Sequence, residues 1–187
     1  MQPPLSDAFD GITLRRAGEG DLSACAALDL TYETDYVWQV DLRDEYGAIA
    51  LSFRTGRLPR PMRVTHPREP RSLDHALQKG DYVVVAQGGG RVRGYLHMRI
   101  DPGRALGWIV DMGVGRPYRR EHVGSGLFNM AYQHARDEGL EKIIIETQTK
   151  NYPGICFCQK HGLVFCGYND RHYRSDDIAL FFGASVR

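Results

Sequence analysis

The sequence predicts an α/β fold, a mixed central β-sheet flanked by helices with a parallel strand pair at its centre. Three observations lead there. The strand-like run ALGWIVDMGV (Ala105–Val114) enters a glycine-bearing turn and then a segment with helical periodicity. KIIIET (Lys142–Thr147) follows with three successive isoleucines, the pattern of a strand buried on both faces, and a strand, helix, strand order makes the two strands parallel. Upstream, two apolar runs around Gly88-Gly89-Gly90 form a hairpin, which adds antiparallel strands.

The elements follow in order. Ile12–Arg16 (ITLRR) is a short strand, and Asp21 is placed to cap a helix carrying Leu22, Cys25, Ala26, Leu28 and Leu30 on one face. Glu33–Glu45 (ETDYVWQVDLRDE) holds five acids and one arginine, whereas Arg54–Arg71 holds six arginines and one acid. Both runs suit solvated surface, the first as an amphipathic helix. Pro59, Pro61, Pro67 and Pro70 mark an irregular connection or an edge strand. Ser72–Lys79 is a short helix closed by Gly80, and Tyr82–Ala86 with Val92–Ile100 are the hairpin strands. The turn Asp101-Pro102-Gly103 leads into Ala105–Val114. Beyond it Val123, Leu127, Met130, Ala131, His134 and Ala135 recur at helical spacing, with Gly139 ending the helix. Pro153–His161 is another helix, with Asn151 near its start and Gly162 after its end. Val164–Tyr168 and Asp177–Phe182 complete the sheet as an antiparallel pair.

At 187 residues the chain suits one domain, and 42% hydrophobic with 25% charged residues is the balance of a soluble protein. No apolar run approaches the roughly 20 residues a bilayer requires, so no membrane partner is expected. The start MQPPLSDAFDG has neither a basic segment nor an apolar core, which suggests a cytoplasmic protein whose four cysteines are thiols. A net charge of +1 argues against nucleic acid as a partner. Cys156, Cys158, His161 and Cys166 suggest a metal site, but residues two apart on a helix point about 200° apart, so no metal is expected.

YRREHVGSGLF (Tyr118–Phe128) carries the clearest chemical signal. It fits neither G-x-x-x-x-G-K-[ST] nor G-x-G-x-x-G, and Val123 and Leu127 stand where a nucleophile elbow around Ser125 would need glycines. What remains is a strand, a basic turn with Arg119 and Arg120, and a helix start bearing Gly124 and Gly126. Such a start binds anions through its orphan N–H groups and its dipole, although glycine serves equally for tight helix-to-strand packing.

That stretch, followed by ETQTKNYPGICFCQKHGLVFCGY from Glu146, resembles the GNAT acetyltransferase superfamily and within it the streptothricin acetyltransferases. The first half is similar to the acyl-CoA loop R/Q-x-x-G-x-G/A, with Arg119 first, His122 at the first glycine and Gly124 at the last. The second is similar to N-x-x-A-I-x-F-Y-x-K-x-G-F, matched by Asn151, Gly154 for alanine, Ile155, Phe157, Lys160, Gly162 and Leu163 for phenylalanine. The resemblance implies a single GNAT-like domain that uses acetyl-CoA as acyl-donor substrate. It implies that the backbone of Met112, Gly113 and Val114 bonds the pantetheine arm and that Asn151 touches the cofactor. The loop Arg119, Arg120, Glu121, His122, Val123, Gly124, Ser125 and Gly126 would wrap the pyrophosphate. Tyr32, Glu33, Asp35, Tyr36 and Trp38 would line the acceptor entrance and receive a cationic amine by ion pairing and cation–π contact.

Acetyl transfer to an amine of pKa near 10.4 requires a base to remove a proton. Glu146, at the carboxyl end of the isoleucine strand, is the first candidate, its pKa open to elevation by burial beside the isoleucines, and Asp111 is the second, or else pairs a nearby arginine or caps a turn. Cys158 stands where the family places a tyrosine proton donor; it either donates to the leaving thiol or fills the core. The expected function is acetyl transfer from acetyl-CoA to a primary amine of a small molecule, an amine antibiotic being one example, by direct attack. The alternatives are a protein or peptide N-acetyltransferase and a module that binds acyl-CoA without transfer. A monomer or homodimer suits either.

Overall fold

Gly11, at φ +74°, turns the chain into β1 (Ile12–Arg16), the first of nine strands among the residues that the computed structural model describes, 11–67 and 72–186. The amino-terminal segment read above for a leader, together with Arg68, Pro70 and Arg71, lies outside those residues. After β1 come α1 (Leu22–Ala26), β2 (Tyr32–Glu45), β3 (Ala48–Val64) and α2 (Ser72–Lys79). Then follow β4 (Tyr82–Gly88), β5 (Arg91–Asp101), β6 (Leu106–Val114) and α3 (Val123–Asp137). The chain ends with β7 (Lys142–Gln148), α4 (Tyr152–Lys160), β8 (Val164–Asn169) and β9 (Ala179–Ser185). Seven strands form a mixed sheet in the order β1-β4-β5-β6-β7-β9-β8, and β2 with β3 forms a separate ribbon. The parallel pair is β6 and β7, as the triple isoleucine requires.

Two compact units divide the chain. The first comprises the described residues of Met1–Leu30, Arg68–Glu146 and Gly183–Arg187. Its strands are two-faced. One face is covered by α3, whose Leu127, Ala131 and Ala135 are fully buried and whose Gly126 passes so close that a Cβ there would stand 3.0 Å from Leu14. On the other face Cys25, Leu30, Leu73 and Ala76 pack with Val83, Val85 and Tyr95. Gly139, at φ +69°, ends α3 where the sequence places its stop.

The first helix departs from expectation. It stops at Ala26, and Leu28 and Leu30 follow it as part of the core wall. Asp21 does not cap it, because both its oxygens are 2.7 Å from the Arg15 guanidinium and one also accepts the Gly18 N–H at 2.9 Å. A bidentate charge-assisted pair outcompetes a neutral cap.

The second unit comprises Thr31–Pro67 and Thr147–Phe182. Here the acidic and basic runs are not two surfaces and the first is not a helix: they are β2 and β3 of one antiparallel ribbon, with Glu33 opposite Arg63. Tyr46 at φ +49° and Gly47 at φ +87° make the two-residue turn whose twist suits a hairpin. Pro59 and Pro61 sit in β3, which has β2 as its one strand neighbour and tolerates missing donors on its open side. Trp38, Phe53, Phe165 and Phe182 form an aromatic cluster with centroid spacings of 4.7–6.1 Å. Among the described residues no helix is long and apolar enough to cross a membrane.

Candidate active site

Alternation along the strands sorts the first unit's sheet into an apolar and a polar face. Leu96 and Met98 of β5, Ile109 of β6 and Ile143 and Ile145 of β7 take the side of α3 and are buried. By alternation Asp111 belongs with Ile109. A bulge prevents this: Met98 pairs with Ile109 and His97 with Asp111, so Val110 is an extra residue that turns Asp111 to the polar face. There it accepts the Tyr95 hydroxyl at 2.7 Å. Glu146, one residue beyond the Ile145–Ile109 pair, shares this face. Burial pushes its carboxyl up to about 7; the Trp108 indole N–H opposes the rise, Asp111 adds to it and Arg99 opposes it. The two carboxylates expected from sequence are thus brought together.

The same bulge lies where the parallel strands part. Register between β6 and β7 runs from Leu106–Lys142 to Ile109–Ile145, while β6 continues to Val114 and β7 to Gln148. Met112, Gly113 and Val114 therefore lie past the last β7 partner, an edge suited to strand-like bonding of an extended ligand arm. Gly113 is required by packing, since a Cβ there would lie 2.6 Å from Leu30 and 3.1 Å from Tyr95.

The loop between β6 and α3 joins a basic turn to a helix start. Arg119 Nε donates to the Val114 carbonyl at 3.1 Å and ties the turn to the strand end. Arg93 pairs with Glu121 at 3.3 Å and lies 5.2 Å over the Tyr118 ring, which offsets the loop's one acid. Arg120 at φ +67° and His122 at φ +60° adopt left-handed backbone, and His122 holds the N-cap of α3 without a side-chain cap bond. The histidine at the family's first glycine thus takes a glycine conformation. Val123 is buried at the helix start, Gly124 and Ser125 are half-buried, and Gly126 serves close packing on Leu14. A diphosphate placed here would meet the orphan N–H groups of the first helical turn, with cationic side chains beside them.

Asp81, Tyr95 and His97 were missed by sequence reasoning. His97 is 2% exposed, and its Nε2 lies 2.7 Å from Asp81 Oδ2, with Arg99 Nε 3.8 Å from the same oxygen. Burial holds the imidazole below its ordinary pKa, with Asp81 opposing. The signal was available in GYLHMRI, where a histidine alternates into a buried strand.

In the second unit, Asn151 caps α4, its Oδ1 accepting the Gly154 N–H at 3.0 Å. Gly154 replaces the family's alanine because a Cβ would stand 2.8 Å from both Asn151 Cγ and Thr147 Oγ1. Cys158 is 1% exposed and burial pushes its thiol up to about 12. Along β2 the pleat buries Tyr32 and Thr34 and exposes Glu33 and Asp35. Tyr36 packs on Tyr152 at 5.3 Å, and Trp38 belongs to the aromatic cluster. Asp177, also missed, gathers Lys150 at 2.6 Å and Gln148 Nε2 at 2.7 Å.

No curated protein sequence matches the chain. Among solved structures it is similar to nourseothricin acetyltransferase, with TM-score 0.81, 23% identity and coverage of 95% of this chain and 99% of that one. A structure from Bacillus anthracis str. Ames, described as a streptothricin acetyltransferase in complex with acetyl coenzyme A, gives TM-score 0.75 and 19% identity over 93% and 99% of the two chains. Ard1 from Thermoplasma volcanium gives 0.69 and 17% over 95% and 99%. These likenesses establish the fold. The model of the Acetyltransferase (GNAT) family matches residues 48–163, more than half of the sequence, and the chain belongs to that family.

Proposed function

We propose that this acetyltransferase moves the acetyl group of acetyl-CoA to a primary amine of a small molecule, by direct attack and without a covalent enzyme intermediate. The observation that carries the reading is the Glu146–Asp111 pair at the point where β6 and β7 cease to pair. A carboxyl with pKa about 7 is matched to removing a proton from an ammonium group near neutral pH. Glu146 acts as the base, and Asp111, held by Tyr95, raises its basicity. Acetyl-CoA supplies an activated thioester. Backbone N–H groups from Met112 to Val114 orient and polarise its carbonyl, and the loop from Arg119 to Gly126 takes the diphosphate. Asn151 keeps the acyl-donor role that the family resemblance gives it, and Tyr32, Glu33, Asp35, Tyr36 and Trp38 keep the acceptor role. Cys158 is assigned to core packing: a thiol at about 12 would protonate a leaving thiolate of ordinary pKa near 8.5 only uphill.

Similarity to the nourseothricin and streptothricin enzymes over nearly the whole chain supports an amine antibiotic as acceptor. The peptide reading draws on the weaker likeness to Ard1. A thiol-release assay with acetyl-CoA over a panel of streptothricins, polyamines and amino-terminal peptides separates them. Faster turnover of a small amine than of any peptide supports the proposal, and the reverse order refutes it. Binding of acetyl-CoA by calorimetry with no amine-dependent release would leave a binding module.

A further inference from the structure

Tyr95, His97, Arg99, Asp111 and Glu146 share the polar face of the first unit's sheet, where Asp81, the residue before β4, meets His97, and the reaction proposed above uses Asp111 and Glu146 with Tyr95 in support. The remainder have work to do in the proton balance. An ammonium group gives up two protons on becoming an amide and the leaving thiolate recovers one, so each turnover sheds one proton. The base that received it must be emptied before the next cycle.

We propose that His97 and Asp81 are the outlet for that proton, carrying it from Glu146 by way of Asp111 to the surface. The groups adjoin in register. Glu146 follows Ile145, which pairs with Ile109 of the adjacent strand, the bulge at Val110 turns Asp111 to the same face, and Asp111 stands opposite His97. His97 is sealed from solvent at 2% exposure, and its Nε2 meets Asp81 at 2.7 Å. The Asp81 side chain is 18% exposed, which opens the far end to water. In the step, the Glu146 carboxylic acid loses its proton and returns to carboxylate, Asp111 relays it, and His97 becomes imidazolium. The ring then releases a proton to Asp81, which releases it to water or buffer, and no electrons change hands. The groups facing the ring favour both of its states. Burial and Arg99 on its own strand favour the neutral form, while Asp81 just before β4 and Asp111 on β6 favour the cation.

This inference rests on Glu146 as base, and the test separates the two. Asp81→Asn and His97→Gln are assayed by amine-dependent thiol release beside wild type and Glu146→Gln. The outlet predicts that kcat falls roughly 10- to 100-fold with KM for acetyl-CoA unchanged, in the lower range for proton-transfer catalysts. Rising imidazole at constant pH and ionic strength restores the rate in both variants and leaves wild type unmoved. Full activity, or a loss indifferent to imidazole, overturns the outlet while leaving the Glu146 reading intact. If Glu146→Gln is fully active, both fall. Should His97→Gln unfold, Asp81→Asn, which keeps a hydrogen-bonding side chain, carries the test alone.

Discussion

Asp111 faces Tyr95 because Val110 is one residue more than β5 can match, and that local excess converts a core position into a chemical one. Its neighbour Glu146 gives the sharpest expectation. Glu146→Gln lowers kcat by about 10²- to 10⁴-fold, the usual contribution of a general base. Wild-type activity climbs with pH through about 7 as Glu146 ionises, and the residual activity of the variant lacks that rise; a pH–rate profile of both checks it. His122 offers a test of stability: at φ +60° it bears the left-handed penalty of an L-residue, so His122→Gly raises unfolding free energy by about 1 kcal/mol in urea titration. The motif made this legible, since a glycine position occupied by histidine announces a positive φ. Glu146 was legible as well, standing at the end of three isoleucines. His97 and Asp81 were not, because a hydrogen bond between residues 16 apart depends on which strands adjoin.

Among the elements, those with caps and periodicity were readable and those with mixed signals were not. Helix α4 keeps its expected start because Asn151 closes its first turn, and Asn151→Ala costs about 1 kcal/mol, measurable by urea unfolding. The ribbon was missed although its pattern is in the sequence. Trp38, Val40 and Leu42 alternate with Gln39 and Asp41, as Ile49, Leu51 and Phe53 do with Ala50 and Ser52 across the Tyr46-Gly47 turn. The charge runs obscured it, for acids on one strand and arginines on the next resemble two separate surfaces until the strands are paired. In α1 the opposite happened: a sound capping residue was present, and a nearby arginine took it.

For the whole molecule, the family and the mixed sheet were legible in two motifs and one isoleucine run, whereas the division into two units was not, because both contain segments far apart in sequence. The elevated Glu146 pKa also enters global stability. A carboxyl raised from 4.5 to about 7 favours the folded state fully below pH 4.5, and that contribution is lost as pH rises through about 7. Glu146→Gln therefore gains stability relative to wild type between pH 5 and pH 8, by up to about 3 kcal/mol, read from urea unfolding at the two pH values. The bulge at Val110 has a last consequence, which concerns counting and not chemistry. Removing Val110 would set Asp111 directly after Ile109, still opposite His97 and on the face away from Ile109, with Met112 and Gly113 keeping their partners on β5. A relative one residue shorter at this point therefore keeps the acid on the polar face by plain alternation, and its sequence would disclose what Val110 hides in this one.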